Sequence, residues 1–172
     1  RGVPFVACGT SIRDLIADLQ GAKVVDGKIN DPMTILDFAS GYGCVARHFK
    51  NVIPQGKLVA IDIHDKAMYF NTAHLGVQAV VSDVNPARVN PFFQFDVVFA
   101  LSFFSHMPKE RIGPWLDKLT QFVKVGGLLM FTSFGPDTLR ELRAAWRGAD
   151  QRAHVHVFLD MHDVGDSVLA QG

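Results

Sequence analysis

The chain is poor in cysteine. Only Cys8 and Cys44 occur in 172 residues, too few for a disulfide framework; reduced thiols in a cytoplasmic protein are the expectation. Neither charge is in excess, with Lys plus Arg at 17 and Asp plus Glu at 17. That balance offers no basis for a nucleic-acid or anionic-membrane partner. No stretch approaches the roughly 18 apolar residues of a membrane span, and no secretory signal is visible. There is no internal repeat and no low-complexity segment. What is present is ordinary for a globular domain with one core: 48% hydrophobic and 20% charged residues. The first residue is Arg1 rather than Met, which reads as a fragment or a processed form.

Apolar periodicity organises the chain. Ile12, Leu15, Ile16 and Leu19 fall at helical spacing after Ser11 and before Gly21. Residues 23–32 read as a polar connection. Short apolar strands are expected at 34–38, 57–62, 77–82, 95–101 and 128–132. Helices are expected at 44–50, 65–75 and 109–123, the last with Ile112, Trp115, Leu116, Leu119 and Val123 on one side. Strands alternating with amphipathic helices imply βαβ units and a mostly parallel sheet covered on both faces. The expected class is α/β, a Rossmann-like doubly wound sheet in the order 3-2-1-4-5, with ligands bound at the carboxyl ends of its strands.

The most informative stretch is Thr34-Ile35-Leu36-Asp37-Phe38-Ala39-Ser40-Gly41-Tyr42-Gly43. It is a strand, a carboxylate near the strand's end, and a glycine turn opening onto a helix, which brings bare backbone close to a ligand. Residues 41–46 fit G-x-G-x-x-[GA], and Asp62 lies 21 residues after Gly41. On the motif alone this is a dinucleotide site with Asp62 on a ribose. Asp37 argues otherwise, because a carboxylate there repels a pyrophosphate. Three successive strands end in acid, at Asp37, Asp62 and Asp83. Such a rim suits a cationic ligand rich in hydroxyl and amine donors, as S-adenosylmethionine is. One carboxylate about 4 Å from a cation contributes up to ~4 kcal/mol at an effective dielectric of ~20.

Residues 35–43, 59–68, 80–84, 95–108 and 125–132 resemble the successive motifs of class I S-adenosylmethionine-dependent methyltransferases. The resemblance implies that Asp37 lies near the methionine amino group, directly or through water. It implies that Ala39, Gly41 and Gly43 admit backbone approach to the methionine and ribose. Asp62 would bind the ribose hydroxyls, with Ile63 against the adenine. Asp83 would accept from the adenine amine beside Ser82 and Val84, and Ala100 and Leu101 would line the methionine side. The family commonly has glycine where this chain has Ala39; its methyl group is tolerable if the backbone angles are ordinary. The family also adds antiparallel strands six and seven, which this chain is expected to lack. An exposed sheet edge would then invite pairing with another chain; the oligomeric state is otherwise open.

The remaining segment reads differently. Phe134-Gly135-Pro136-Asp137-Thr138-Leu139-Arg140-Glu141-Leu142-Arg143, then His154, Phe158, Asp160-Met161-His162-Asp163 and Gly165-Asp166, resemble malonyl-acyl-carrier-protein O-methyltransferases of biotin synthesis. There the segment helps cover the substrate, which implies methyl transfer to the free carboxylate of a carrier-bound malonyl group. The alternatives are another small-molecule acceptor, or a non-catalytic assembly or binding protein that keeps the fold. A carboxylate is already a nucleophile at neutral pH, so positioning and water exclusion are the tasks. Substrate candidates are Arg140 and Arg143, with their carboxylate-matching forks, His106 just past strand four, and His154. No metal site is expected, since His154 and His156 lack further ligands at suitable spacing. The whole chain reads as one domain: an N-terminal helix and connection (1–33), a cofactor-binding core (34–132) and a substrate-covering segment (133–172).

Overall fold

The computed structural model describes residues 33–49, 52–53, 57–90 and 93–149, together with 14–16, 18, 24–25, 28–29, 158, 163, 165–166 and 169. Its centre is a parallel sheet of five strands: β1 (Ile35–Phe38), β2 (Leu58–Asp62), β3 (Gln78–Val81), β4 (Phe95–Ala100) and β5 (Val123–Phe131). Their order is β3-β2-β1-β4-β5, with every pairing parallel. This is the expected doubly wound order. The chain winds outward from β1 to β3, then returns to lay β4 on the other side of β1. The switch point is therefore between β1 and β4.

Burial explains why the central strands are apolar apart from their acids. β1 and β2 are buried at every position, as strands covered on two faces must be. Alternate residues feed two separate cores. Ile35, Ala60, Val97 and Phe99 pack on one side with Ala46, Phe49, Ala67 and Met68. Leu36, Phe38, Val59, Ile61 and Val98 pack on the other with Ile112, Trp115, Leu116 and Leu119. The helices supplying these faces are α1 (Ala46–Phe49), α2 (Asp65–Phe70) and α3 (Lys109–Thr120). Ile16, on the N-terminal helical segment, is fully buried in the first core, while Leu15 of the same apolar set is exposed; Ile12 and Leu19 lie outside the described residues.

Several boundaries differ from the periodicity. The second helix is α-helical only to Phe70 and continues as a π-turn over Asn71–Leu75, closed by Gly76 at φ 65°. Within residues 23–32, Val24–Val25 pairs antiparallel with Lys28–Ile29. The sequence between these pairs, Asp26-Gly27, is a strong hairpin dipeptide, so a purely polar connection is not what forms. The last strand starts at Val123, not Leu128. Gly126 takes φ 77°, and the register slips between the Phe95 and Val97 pairings. A Cβ at Gly127 would lie 2.9 Å from the Asp96 carbonyl. The two glycines thus make an irregularity inside the strand rather than a turn before it.

At the sheet's amino-terminal edge, Asp96 Oδ2 accepts from the Thr34 amide at 2.8 Å and its hydroxyl at 2.6 Å. Lys124 Nζ reaches the same oxygen at 2.9 Å. These contacts tie β1, β4 and β5 together at the edge away from the glycine turn. After β5, α4 (Arg140–Arg147) buries none of its residues. His154 lies outside the described residues. No helix among the described residues is long and apolar enough to cross a membrane.

Candidate functional site

The carboxyl ends of the strands converge on the glycine turn. Gly41 has φ 51° and Gly43 has φ 68°, the left-handed region that glycine enters without penalty. Gly43 is also space-limited: a Cβ there would sit 2.2 Å from Asn71 Oδ1 and 2.5 Å from Leu75 Cδ1. The turn is held from two sides. Asp62 Oδ2, at the end of β2, accepts from the Gly41 amide at 2.8 Å. Asn71 Nδ2 donates to the Gly41 carbonyl at 2.8 Å and to the Ala67 carbonyl at 2.9 Å.

Asn71 is fully buried and was not picked out by sequence reasoning. A signal existed. Asn71 stands four residues after Ala67, on a helical stripe that is otherwise apolar, and a polar residue there needs a buried partner. Here the partner is loop backbone that no periodicity reveals.

Asp37 and Asp62 share a sheet face, because Asp37 pairs in register with Ala60 and Asp62 is two residues further along β2. Asp37 is 3% exposed. Burial away from water pushes its carboxyl up to about 8; the Ala46 amide opposes this and the nearby Asp62 charge adds to it. Asp37 Oδ2 and Ser40 Oγ are buried without a hydrogen-bond partner among the described residues. The acid rim therefore consists of unequal members. Asp37 is mostly neutral at pH 7, Asp62 is buried and held by the amides of Gly41 and His64, and Asp83 is half-buried. Asp83 Oδ1 accepts from the Asn85 amide at 2.8 Å, and the Arg88 guanidinium lies 3.8 Å from its other oxygen.

A cleft of about 550 Å³ opens along these strand ends, within the size of small-molecule sites. One end is lined by Asp62, Ile63, Ser82, Asp83 and Val84. Ala39 and Leu101 lie along it, and Phe38, Phe103 and Trp115 form an aromatic wall at the other end. Phe38 meets Phe103 at 5.2 Å and Trp115 at 5.5 Å, both edge to face. Of the phenylalanines in and after β4, Phe95 and Phe99 are core, and Phe103 is cleft wall.

Two cleft residues are conformationally unusual. Ala39 has φ 59° and Ser102 has φ 58°. They follow β1 and β4, the strands flanking the switch point. The condition of ordinary backbone angles attached to Ala39 is not met: its methyl group sits in a left-handed conformation costing about 1–2 kcal/mol. Ser102 is steadied by its amide, which donates to Thr132 Oγ1 at 2.8 Å.

The structure brings together seven of the sequence candidates as cleft-lining groups: Ala39, Asp62, Ile63, Ser82, Asp83, Val84 and Leu101. Asp37, in β1, and Gly41 and Gly43, in the turn, are not among the cleft-lining residues, and Ala100 is fully buried at the end of β4. His106 ends a short 3-10 turn, Phe104–His106. Arg140 and Arg143 are not among the cleft residues. Arg143 donates to the carbonyls of Thr138 at 2.6 Å and Pro136, closing the turn before α4. Arg140 lies 3.6 Å from Asp137. No cluster of potential metal ligands occurs among the described residues.

Comparison with known proteins agrees with this geometry. The methyltransferase domain family matches residues 36–129, more than half of the chain. A malonyl-acyl-carrier-protein O-methyltransferase from Legionella pneumophila is 33% identical over 146 residues, covering 81% of this chain and 50% of that protein. A protein of the same name from Gallionella capsiferriformans is 30% identical over 153 residues, covering 82% and 51%. The chain thus spans about half the length of these curated relatives. Magnesium protoporphyrin IX methyltransferase from Synechocystis, solved with bound S-adenosylhomocysteine, superposes with a TM-score of 0.68 at 17% identity, covering 97% of this chain and 73% of that one. That likeness is one of fold. With a parallel sheet in this order, a glycine turn after β1 and a match spanning β1 to β5, the chain belongs to the methyltransferase domain family.

Proposed function

We propose that this domain binds S-adenosylmethionine and serves methyl transfer to the free carboxylate of a malonyl group on acyl-carrier protein. The observation that carries the reading is the cleft at the switch point, acidic at one end and aromatic at the other. The residues present fit the cofactor. Asp62 uses one lone pair on each oxygen for backbone amides and keeps others for the ribose hydroxyls. Ile63 and Val84, both exposed, offer apolar flanks to the adenine, while Ser82 and Asp83 supply polar contacts to its amine. Gly41, Gly43 and Ala39 let the backbone approach the methionine portion, with Ala100 and Leu101 opposite. The unpartnered Asp37 oxygen is the acceptor that an ammonium needs, directly or through water.

When bound, S-adenosylmethionine supplies an electrophilic methyl group, which a carboxylate accepts without losing a proton. The protein's work is then to orient the acceptor and exclude water. The aromatic wall of Phe38, Phe103 and Trp115 serves the second task. His106 and His154 are acceptor-contact candidates on the sequence alone. Arg140 and Arg143, on an exposed helix, suit the surface of an acidic carrier protein. The names of the curated relatives support the choice of acceptor. The scarcity of cysteine supports a cytoplasmic setting.

Transfer of labelled methyl from S-adenosylmethionine to malonyl-carrier protein tests the reading. Carrier-bound, base-labile label is the expected result. Calorimetric binding of NAD but not S-adenosylhomocysteine would overturn the cofactor assignment.

A further inference from the structure

The cleft contains one lysine or arginine among its described lining residues, and the proposed cofactor does not need it. Arg111 lies in the first turn of α3, four residues before Trp115 and on the same helical face. It lines the aromatic end of the cleft with Phe38, Phe103, Met107 and Trp115. Its position is not explained by helix stability, because the macrodipole disfavours a cation in the first turn. Nor does an ion pair explain it. Four described cations lie near carboxylates, namely Lys109 3.7 Å from Asp163, Arg88 3.8 Å from Asp83, Lys124 2.9 Å from Asp96 and Arg140 3.6 Å from Asp137; Arg111 belongs to the rest. Among the described residues no carboxylate pairs with Arg111.

The charge of the cleft sharpens the point. Its other formally charged lining groups are Asp62 and Asp83, with exposed His64 the remaining titratable one. An anionic acceptor entering such a cleft meets two carboxylates, and a neutral aromatic wall does nothing to offset them. We propose that Arg111 binds the carboxylate of the acceptor at the aromatic end of the cleft, making this the specificity site for an anionic substrate. A guanidinium can grip one carboxylate oxygen while its planar face lies along a neighbouring ring. The other oxygen stays available toward the methyl-donor side. The inference rests on the methyltransferase reading and adds an acceptor contact on α3, leaving Arg140 and Arg143, which engage their own segment, to the carrier surface.

The test is calorimetric titration of the protein, loaded with S-adenosylhomocysteine, with malonyl-pantetheine and with acetyl-pantetheine, which lacks the free carboxylate. The unaltered protein is expected to prefer the malonyl compound by about tenfold or more, the scale of a charge-assisted pair. Arg111→Ala is expected to abolish that preference, and Arg111→Lys to restore part of it. Affinity for S-adenosylhomocysteine should stay within about twofold in both variants, since the cofactor groups are untouched. A preference that survives in Arg111→Ala would overturn the inference and leave the proposed acceptor standing. No preference in the unaltered protein would overturn both. Equal loss of cofactor and acceptor binding in Arg111→Ala would make the residue structural and sink the proposal.

Discussion

The backbone amide of Gly41 donates to Asp62 Oδ2 at 2.8 Å, across 21 residues of sequence. One carboxylate therefore shapes the glycine turn and also faces the cleft. Removing it should act on both. Asp62→Ala is expected to weaken S-adenosylhomocysteine binding by at least tenfold, about 1.4 kcal/mol. Asp62→Asn, which keeps one acceptor oxygen, should lose less. Calorimetric titration distinguishes these outcomes, and unchanged affinity in folded Asp62→Ala would remove the residue from the site.

Ala39 offers the opposite experiment, a substitution that stabilises. Its φ of 59° costs an alanine about 1–2 kcal/mol, while glycine loses roughly 0.5–1 kcal/mol of chain entropy on ordering. Ala39→Gly should therefore gain up to about 1 kcal/mol, seen as a higher urea midpoint with an unchanged slope. A lower midpoint would mean that the methyl group makes contacts outweighing its strain.

Asn71 and Gly43 should be energetically coupled. A methyl group at Gly43 would collide with Asn71 Oδ1 as well as forcing a left-handed alanine. Gly43→Ala is expected to cost about 2–4 kcal/mol, and Asn71→Ala about 1–3 kcal/mol through the unmet Gly41 carbonyl. The double variant should cost less than the sum, because the second change removes the atom that the first one strikes. Strict additivity in chemical denaturation would contradict the packing described.

Asp37 gives a pH signature. Its carboxyl ionises near 3.8 when unperturbed and about 8 in the fold. Between those values the folded state holds the extra proton, so this residue makes stability fall as pH rises from about 4 to about 8. Asp37→Asn should flatten that slope, as measured by urea unfolding across the interval. A ligand ammonium beside Asp37 would favour its ionised form, so S-adenosylhomocysteine binding at pH 7 should release a proton. The heat of binding would then vary with buffer ionisation enthalpy in the unaltered protein and not in Asp37→Asn.

Most of the fold was legible because buried parallel strands leave a strong mark. Residues 35–38 and 58–62 are apolar on both faces apart from their acids, and α3 repeats its apolar side at helical spacing. Boundaries were less legible where backbone geometry overrode pattern. The π-turn after Phe70 and the glycine irregularity inside β5 depend on what each segment packs against. In the candidate site, Asp62 and Asp83 stood out because acids ended successive strands at a glycine turn.

The sequence by itself determined the alternation of strands and helices and the place of the glycine turn, since these follow from local periodicity and residue spacing. Only the tertiary structure decided how the three acids differ, because exposure to water sets their charge and is a property of the packed chain. It also decided that Asn71 braces the turn, that Arg143 closes its own segment, and that Arg111 reaches the cleft. Each of those is a contact between surfaces distant in sequence, and hydrophobic spacing carries no record of where a polar side chain finds its partner.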